Sequence, residues 1–422
     1  MKKYARYKDS GISWIGDVPE HWDVVRNKNF IDEKDEVVGE KFRDYTLLSL
    51  TKGGVIARDV ESGKGKFPKD FESYKIVQPG NVIFCLFDVD ETPRTVGLSS
   101  LRGMITGAYD VFEPININAR YYAYYFLAVD DRKALRPLYT GLRKVVKKDR
   151  FLACKIPVPP LPEQKAIAEY LDKKTAQINE LVSAKQKQIE LLKEYKQSVI
   201  ANAVTGKLDE RREKRKWKDS GISWIGKIPE NWEIKRVASF FDENKVLNKD
   251  FSFKKAYQFK FGTLVMKNEV GDEKDYEETY VKYTVLKKND IVLNGLNLNY
   301  DFVSQRVAIC PTPGIITSAY IAMTPRKTIE AMYYLWLFKT MDNKKMLHGM
   351  GSGIRLTLSF SDMKNQRIPV PPLSEQKEIV AYIEKKVSSI DSQIASIENQ
   401  IANLNEYKQS LISDVVTGKV KV

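Results

Sequence analysis

The chain has 422 residues, 43% of them apolar, and carries 69 Lys and Arg against 55 Asp and Glu, a formal net charge of +14. This length predicts more than one domain, the apolar fraction excludes wholesale disorder, and the basic excess points to a polyanion, either nucleic acid or an anionic membrane surface. No run of 18 apolar residues occurs, which excludes a membrane-spanning helix.

The N-terminal segment MKKYARYKDSG has no apolar stretch behind its lysines, so no signal peptide is expected. Residues 8–16 read KDSGISWIG, and the same nine letters return at 218–226. A repeat is therefore the first feature to trace. Short β-like runs follow, DYTLLSL, KGGV and QPGNVIFCLFD, then ITGAY at 105–109 and the basic stretch TGLRKVVKKDR. Cys85, Cys154 and Cys310 are odd in number and scattered, without metal-ligand spacing or a disulfide framework. Buried, reduced thiols in a cytoplasmic protein are the expectation.

At 156–174 the chain reads IPVPPLPEQKAIAEYLDKK. Its prolines forbid helix before them, and Pro162 suits a first helical position. A helix of about 40 residues, about 60 Å long, is predicted from there to Gly206 of VTGK, a natural stop. Positions seven apart give one row of Leu171, Ile178, Lys185, Leu192 and Val199 and another of Ala168, Thr175, Val182 and Ile189, together an a/d coiled-coil seam in which Lys185 faces the slot Ile397 fills in the copy. Lys185 either fixes register or reaches out past the seam. A charged link, LDERREKRK, leads into a second pass through the same plan.

The second pass has AYQFKFGTLVM and KKNDIVLNGLN in its middle, ITSAY at 316–320 and IPVPPLSEQKEIVAYIEKK at 368–386. Ser374 there suits an N-cap. The second seam is Ile383, Ile390, Ile397, Leu404 and Leu411, ending at Gly418 in another VTGK. The two copies are offset by 210 residues early and 212 late, far too long for a solenoid unit. The chain is a duplicated module whose ends are copied and whose middle, about 27–96 in the first copy, barely aligns. Matched seams predict that the two helices pair. If each module's ends lie close together, they pair antiparallel with a module at each end. Trp14 and Trp224 are expected to anchor the repeated leading segments near the helix ends, to sit as plain core residues, or to form part of a partner dock. The C-terminal VTGK is expected beside the first module.

The charge is unevenly placed. Residues 162–209 and 374–422 together hold fourteen basic and fourteen acidic residues, leaving 55 basic and 41 acidic for the modules and the link. Base edges are read by Arg, Lys, Asn and Gln, and phosphates are held by Arg and Lys. The candidate DNA contacts in the first module are Arg43, Lys52, Lys64, Lys66, Arg94 and Arg102, with Arg143, Lys144, Lys147 and Lys148 as a second cluster. In the second module they are Lys254, Lys255, Lys260, Asn297, Asn299, Arg306 and Arg355. No Walker A motif is present, GKGKF near Gly63 lacking the spacing, and no GxGxxG follows a strand. His21 and His348 share no surroundings, and no metal site or Ser–His–Asp set assembles. The residues describe a reader rather than a catalyst. A protein–protein scaffold that does not touch DNA is the competing reading.

SGISWIGDVPEHW, IPVPPLPEQKAIAEYLDKK and AVTGKL, each with its copy, resemble the specificity subunit of type I restriction–modification systems over essentially the whole chain. The resemblance implies an α+β fold with two mixed α/β target-recognition domains, at 1–157 and 210–369. These are separated by helical spacers at 158–209 and 370–422 that form an antiparallel coiled coil with an internal pseudo-two-fold repeat. It further implies a non-catalytic chain that reads a bipartite double-stranded DNA target and docks two methyltransferase (modification) subunits. Restriction subunits with translocase activity can join that core, and no membrane is involved. S-adenosylmethionine, ATP and Mg are then expected in the partner subunits, with no cofactor and no metal in this chain.

Overall fold

The computed structural model describes residues 2–58, 71–208, 215–267, 274–351 and 356–422. Lys64, Lys66 and Arg355 lie outside the described residues. The chain divides into two compact units, residues 1–186 with 398–422, and residues 187–397. The division falls within both long helices, so each unit is one globular module with half of each helix.

The first module opens with the hairpin β1 (Tyr7–Asp9) and β2 (Asp17–Pro19), followed by β3 (Asp23–Arg26) and β4 (Ile31–Glu33). A second hairpin, β5 (Leu48–Thr51) and β6 (Gly54–Ala57), precedes β7 (Lys75–Val77), β8 (Val82–Phe84), β9 (Val96–Leu98), β10 (Gly103–Ile105) and β11 (Asp110–Pro114). Helix α1 (Ala119–Asp131), the pair β12 (Tyr139–Thr140) and β13 (Val145–Val146), α2 (Lys148–Ala153) and β14 (Lys155–Val158) lead to the long α3 (Leu161–Val204). The central sheet runs β4-β11-β8-β9, all antiparallel. β8 is buried at all three positions, as expected of Val-Ile-Phe in mid-sheet. Asn118 caps α1 by accepting from the Arg120 and Tyr121 backbone N–H groups. The helix then lays Tyr122 and Phe126 on Phe84, and Phe126 on Phe151, in a core that also takes in Tyr121 and Tyr125.

The second module repeats these pairings. It contains β15 (Trp217–Asp219), β16 (Lys227–Pro229), β17 (Glu233–Arg236), β18 (Phe241–Glu243), β19 (Tyr257–Lys260) and β20 (Thr263–Met266). After them come α4 (Lys274–Tyr280), β21 (Thr284–Leu286), β22 (Ile291–Leu293), β23 (Val307–Ile309), β24 (Gly314–Ile316), β25 (Ile321–Pro325), α5 (Ala331–Asn343), α6 (Phe360–Lys364), β26 (Arg367–Val370) and α7 (Leu373–Val416). Its sheet order is β18-β25-β22-β23, and β17 pairs with β26 as β3 pairs with β14. The diverged middles of the two copies therefore share one topology.

The repeated motifs meet in space. In the first unit the Trp22 indole N–H donates to Glu163 of PPLPEQ at 3.2 Å, and His21 and Tyr4 reach the same carboxylate. Gln164, fully buried, donates to the Pro159 carbonyl at 2.8 Å and accepts the Asn118 N–H at 2.8 Å. In the second unit Trp232 donates to Glu375 at 3.0 Å, while Gln376 bridges the Pro371 carbonyl and the Glu330 N–H at 2.8 and 2.9 Å. The helix ends close each joint. Gly206 and Gly418 have φ of +78° and +72°, a conformation open to glycine. A Cβ on Gly418 would lie 2.2 Å from Pro19 Cδ, and one on Gly206 would lie 2.5 Å from Pro229 Cδ. The C-terminal VTGK thus lies in the first module. Trp22 and Trp232, both fully buried, hold the helix ends. Trp14 and Trp224 are half-buried against the cores that also take in the helix ends, Trp14 packing on Tyr125 at 5.9 Å.

Both long helices contain 44 residues. α7 begins at Leu373, so Ser374 is its second residue and not its cap; Pro372 before it already ends the extended segment. Within the first unit Asn179 accepts from Lys408 and Gln400 accepts from Lys185, so the helices run antiparallel. Within the second unit Lys196 pairs with Asp391 at 2.7 Å. Leu171, Ile178, Val199, Ile383, Ile390, Ile397 and Leu411 are buried, and Lys185, Leu192 and Leu404 are half-buried. Lys185 spans the seam to a polar partner. Among the described residues no helix is long and apolar enough to cross a membrane.

Candidate nucleic-acid interface

Each module carries an outward hairpin whose two faces have different chemistry. In β19–β20, Tyr257, Phe259 and Leu264 turn inward onto Leu286, Val292 and Ile316. The Tyr257 hydroxyl donates to the Thr312 carbonyl at 2.9 Å. Strand alternation then sends Gln258, Lys260, Thr263 and Val265 outward, and all four are exposed. Gln258 stands opposite Val265, and Lys260 opposite Thr263. In β5–β6, Leu48 and Val55 turn inward onto Val77, Ile83 and Val111. Ser49 stands opposite Ile56 and Thr51 opposite Gly54 on the outer face. Two residues make each turn, Lys52–Gly53 in the first module and Phe261–Gly262 in the second.

The predicted contacts fall into three groups. Arg43, Lys52, Arg102, Lys147, Lys254, Lys255, Lys260 and Asn297 are exposed. Arg43, Arg102 and Lys254 lie over the rings of Phe42, Tyr45 and Phe251 at 5.5–5.7 Å, which holds their stems while the charge stays in solvent. Lys52 sits at the hairpin tip beside a cleft of about 750 Å³ in the first unit, bounded also by Arg120, Asp172 and Lys408. Burial, then the charge of Arg94, pulls the Lys408 ammonium below the usual lysine range.

A second group is engaged with acids. Arg143 pairs with Asp88 at 2.6 Å, Lys144 with Glu91 at 3.3 Å and Asp90 at 3.4 Å, and Lys148 with Glu33 and Asp110. Hydrogen bonds from Arg143 and Arg136 hold the Asp88 and Asp90 carboxyls below the usual carboxylate range. The TGLRKVVKKDR stretch is thus partly neutralised, by the loop that follows β8 and by Glu33 and Asp110. It is a weaker anion site than its composition suggests, although Arg143, Lys147 and Arg150 stay exposed.

The third group is structural. Arg306 is 2% exposed. Its guanidinium donates to the carbonyls of Asn294, Leu296, Asn297 and Asp301 at 2.8–3.3 Å, and so clamps the loop between β22 and β23. Arg94, with its side chain 16% exposed, pairs with Asp130 and Asp131 at 3.1 and 2.9 Å. Arg306 is enclosed and leaves the candidate surface, whereas Arg94, held by its two acids, lines the cleft beside Lys52. Asn299 is half-buried within the clamped loop. The first module holds its corresponding loop from the other side, through Lys133 to the Val89 and Thr92 carbonyls.

Among the described residues no three His, Cys, Asp or Glu side chains could hold a metal ion. His348 is buried, its Nε2 meeting the Asp301 carbonyl at 3.0 Å. Burial pushes the Cys154 and Cys310 thiols up to about 12, far from the thiolate a nucleophile needs. The outward residues Gln258, Val265, Ser49 and Ile56 were not among the sequence candidates. The signal for them was the alternation of LSLT and GVIA about Lys52–Gly53 in the first module and of YQFK and TLVM about Phe261–Gly262 in the second.

The family model described as the type I restriction modification DNA specificity domain matches residues 106–191 and 229–406. The type I restriction enzyme MjaVIII specificity subunit of Methanocaldococcus jannaschii is 24% identical over 434 aligned positions, covering 96% of this chain and 94% of its own. The EcoBI specificity subunit of Escherichia coli is 25% identical over 281 positions, 63% of this chain and 58% of that one. Two solved chains share the fold. One, described under complex assembly and conformational transition of the type I R-M system, superposes with a TM-score of 0.67 at 14% identity, over 96% of this chain and 99% of its own. The other, the HsdS subunit from Thermoanaerobacter tengcongensis, does so at 0.50 and 15% identity, over 96% and 98%.

Proposed function

The chain belongs to the type I restriction–modification DNA specificity family, and on that premise we propose that it reads a bipartite double-stranded DNA target for a methyltransferase complex and performs no chemistry itself. The observation that carries this reading is the pairing of one shared frame with two unlike outer surfaces. The Trp–Glu–Gln joints are repeated nearly atom for atom, while the exposed residues of the two modules differ. A frame of this kind keeps two readers equivalent to their partners and lets each recognise a different half-site.

Two methyltransferase subunits dock on the repeated frame, one per module, and restriction subunits can join them. S-adenosylmethionine, ATP and Mg act in those partners, in the cytoplasm where the DNA lies. The test is co-expression of the chain with its methyltransferase in a host without other DNA methylation, followed by single-molecule mapping of modified bases. A split motif with two unlike halves is the expected result. An assembled complex that leaves no methylated motif, and whose DNA affinity does not fall with salt, would overturn it in favour of a protein scaffold.

A further inference from the structure

The β5–β6 and β19–β20 hairpins occupy the same place in their modules, yet nothing in the diverged sequence makes them alike. Their inner faces are fixed in packed clusters, and β6 and β20 lean on β9 and β23 respectively. What differs is the outward set. The first hairpin presents Ser49, Thr51 and Ile56 with Lys52 at its tip, and the second presents Gln258, Lys260 and Val265 with Phe261 at its tip.

Two features of the second hairpin, the exposure of Val265 and of Phe261, have no role in the fold. Val265 is 42% exposed and Ile56, its counterpart, 46%, although each module has an apolar core to bury them in. Phe261 is 81% exposed and has φ of +44°, a left-handed conformation that two-residue turns normally give to Asn, Asp or Gly. The turn is also held rigidly. Gly262, at φ +77°, lets the tip rest against Gln305, where a Cβ would lie 2.5 Å from Gln305 Cγ. Gln305 in turn donates to Asn343 at 2.8 Å, at the end of α5. An exposed ring in an unfavoured conformation on a buttressed tip is a feature that ligand binding explains and folding does not.

Resting on the DNA-reading function proposed above, we infer that these two hairpins are the base-reading elements, one for each half of the target. A two-stranded ribbon fits the major groove. Gln258 has the paired donor and acceptor that suit adenine, Lys260 the donor that suits guanine O6 or N7, and Val265 and Ile56 the apolar surface that suits a thymine methyl. Phe261 supplies a flat apolar ring that stacks on or wedges at a base step. Lys254, Lys255 and Lys267, exposed beyond the ribbon's base, match the phosphates on either side. The first hairpin, with Ser49, Ile56 and Lys52, reads a different half without an aromatic tip, the Thr51 hydroxyl being held within the turn by the Gly54 carbonyl and the Gly53 N–H.

The test uses the full chain with its methyltransferase and maps methylated motifs in three backgrounds. The parent chain must give a split motif; if it does not, the specificity function fails and this inference falls with it. Gln258→Ala with Lys260→Ala is expected to relax or change one half of that motif, with preference for the original bases falling roughly 5- to 100-fold. Ser49→Ala with Ile56→Ala, opposite each other on the outer face, is expected to change the other half alone. Both pairs lie on the outer faces, and unchanged thermal unfolding serves as the folding control. A parent motif retained intact at full rate by both pairs would overturn the inference while leaving the function standing. So would loss of methyltransferase binding, which would make the hairpins protein docks. Phe261→Asn suits the turn, so it is expected to raise the unfolding temperature while slowing methylation at least about 5-fold; undiminished methylation by this variant would remove Phe261 from the reader.

Discussion

Replacing Gln376 by Met tests whether the repeated PPLPEQ motif acts as a joint. Gln376 is 1% exposed, and its amide makes two bonds to backbone, one to the Pro371 carbonyl and one from the Glu330 N–H that opens α5. Met has nearly the same length and volume, so the packing change is small. The loss is then that of two backbone groups left without a partner in an enclosed site, each costing about 1–3 kcal/mol. The Glu330 end is partly solvated, which places the total at about 2–4 kcal/mol. In urea, with a slope of about 2 kcal/mol/M, this shifts the unfolding midpoint of the second unit by roughly 1–2 M. Gln164→Met removes the same two bonds in the first unit and is expected to produce the same shift in that unit's transition. Hydrogen exchange read unit by unit assigns each transition. A loss below about 0.5 kcal/mol in either variant would refute the joint, because the bonds would then be replaced by water at no cost.

Arg306→Met is expected to destabilise the second unit by about 2–4 kcal/mol, since four carbonyls lose a charged donor. Limited proteolysis should then cut first between Asn294 and Asp301. The Asp301 carboxyl is held below the usual range by backbone N–H bonds, Ser304 foremost. A depressed carboxylate stabilises the fold fully above its unfolded pKa of about 4 and loses that contribution as pH falls through the lower native value. An Asp301→Asn chain should therefore show a flatter loss of stability between roughly pH 4 and pH 2. Cys85, Cys154 and Cys310, with thiols raised by burial, are expected to resist alkylation at pH 8 in the native chain and to react together once it is unfolded, as followed by mass spectrometry.

The duplication, the two long helices and their stops were legible in the sequence because heptads, prolines and glycines act locally. The shared middle was not. Its inner faces fill equivalent space with different residues, Leu48 and Val55 against Tyr257, Phe259 and Leu264, and its outer faces have no reason to agree. Charge candidates fared unevenly for a related reason. The acids that neutralise Arg143 and Lys144 lie more than 50 residues earlier, at Asp88, Asp90 and Glu91. Nothing local marks Arg306 as a buried clamp rather than a surface contact. Trp22 and Trp232 were not singled out, because sequence identity between copies shows which residues are kept, and not which of them close on the helix-end glycines.

The first unit takes Leu411, Ile412, Val415, Val416 and Val420 into the same core as Val18 and Trp22. On the ribosome those residues emerge long after their partners. At roughly 5–20 residues per second, the first module waits on the order of ten to fifty seconds for its missing helix. The second unit, made of residues 187–397, has all its parts before then. The module translated first therefore finishes folding last, with its aromatic core open in the interval. A nonsense codon late in the gene would damage the part of the protein encoded at its beginning.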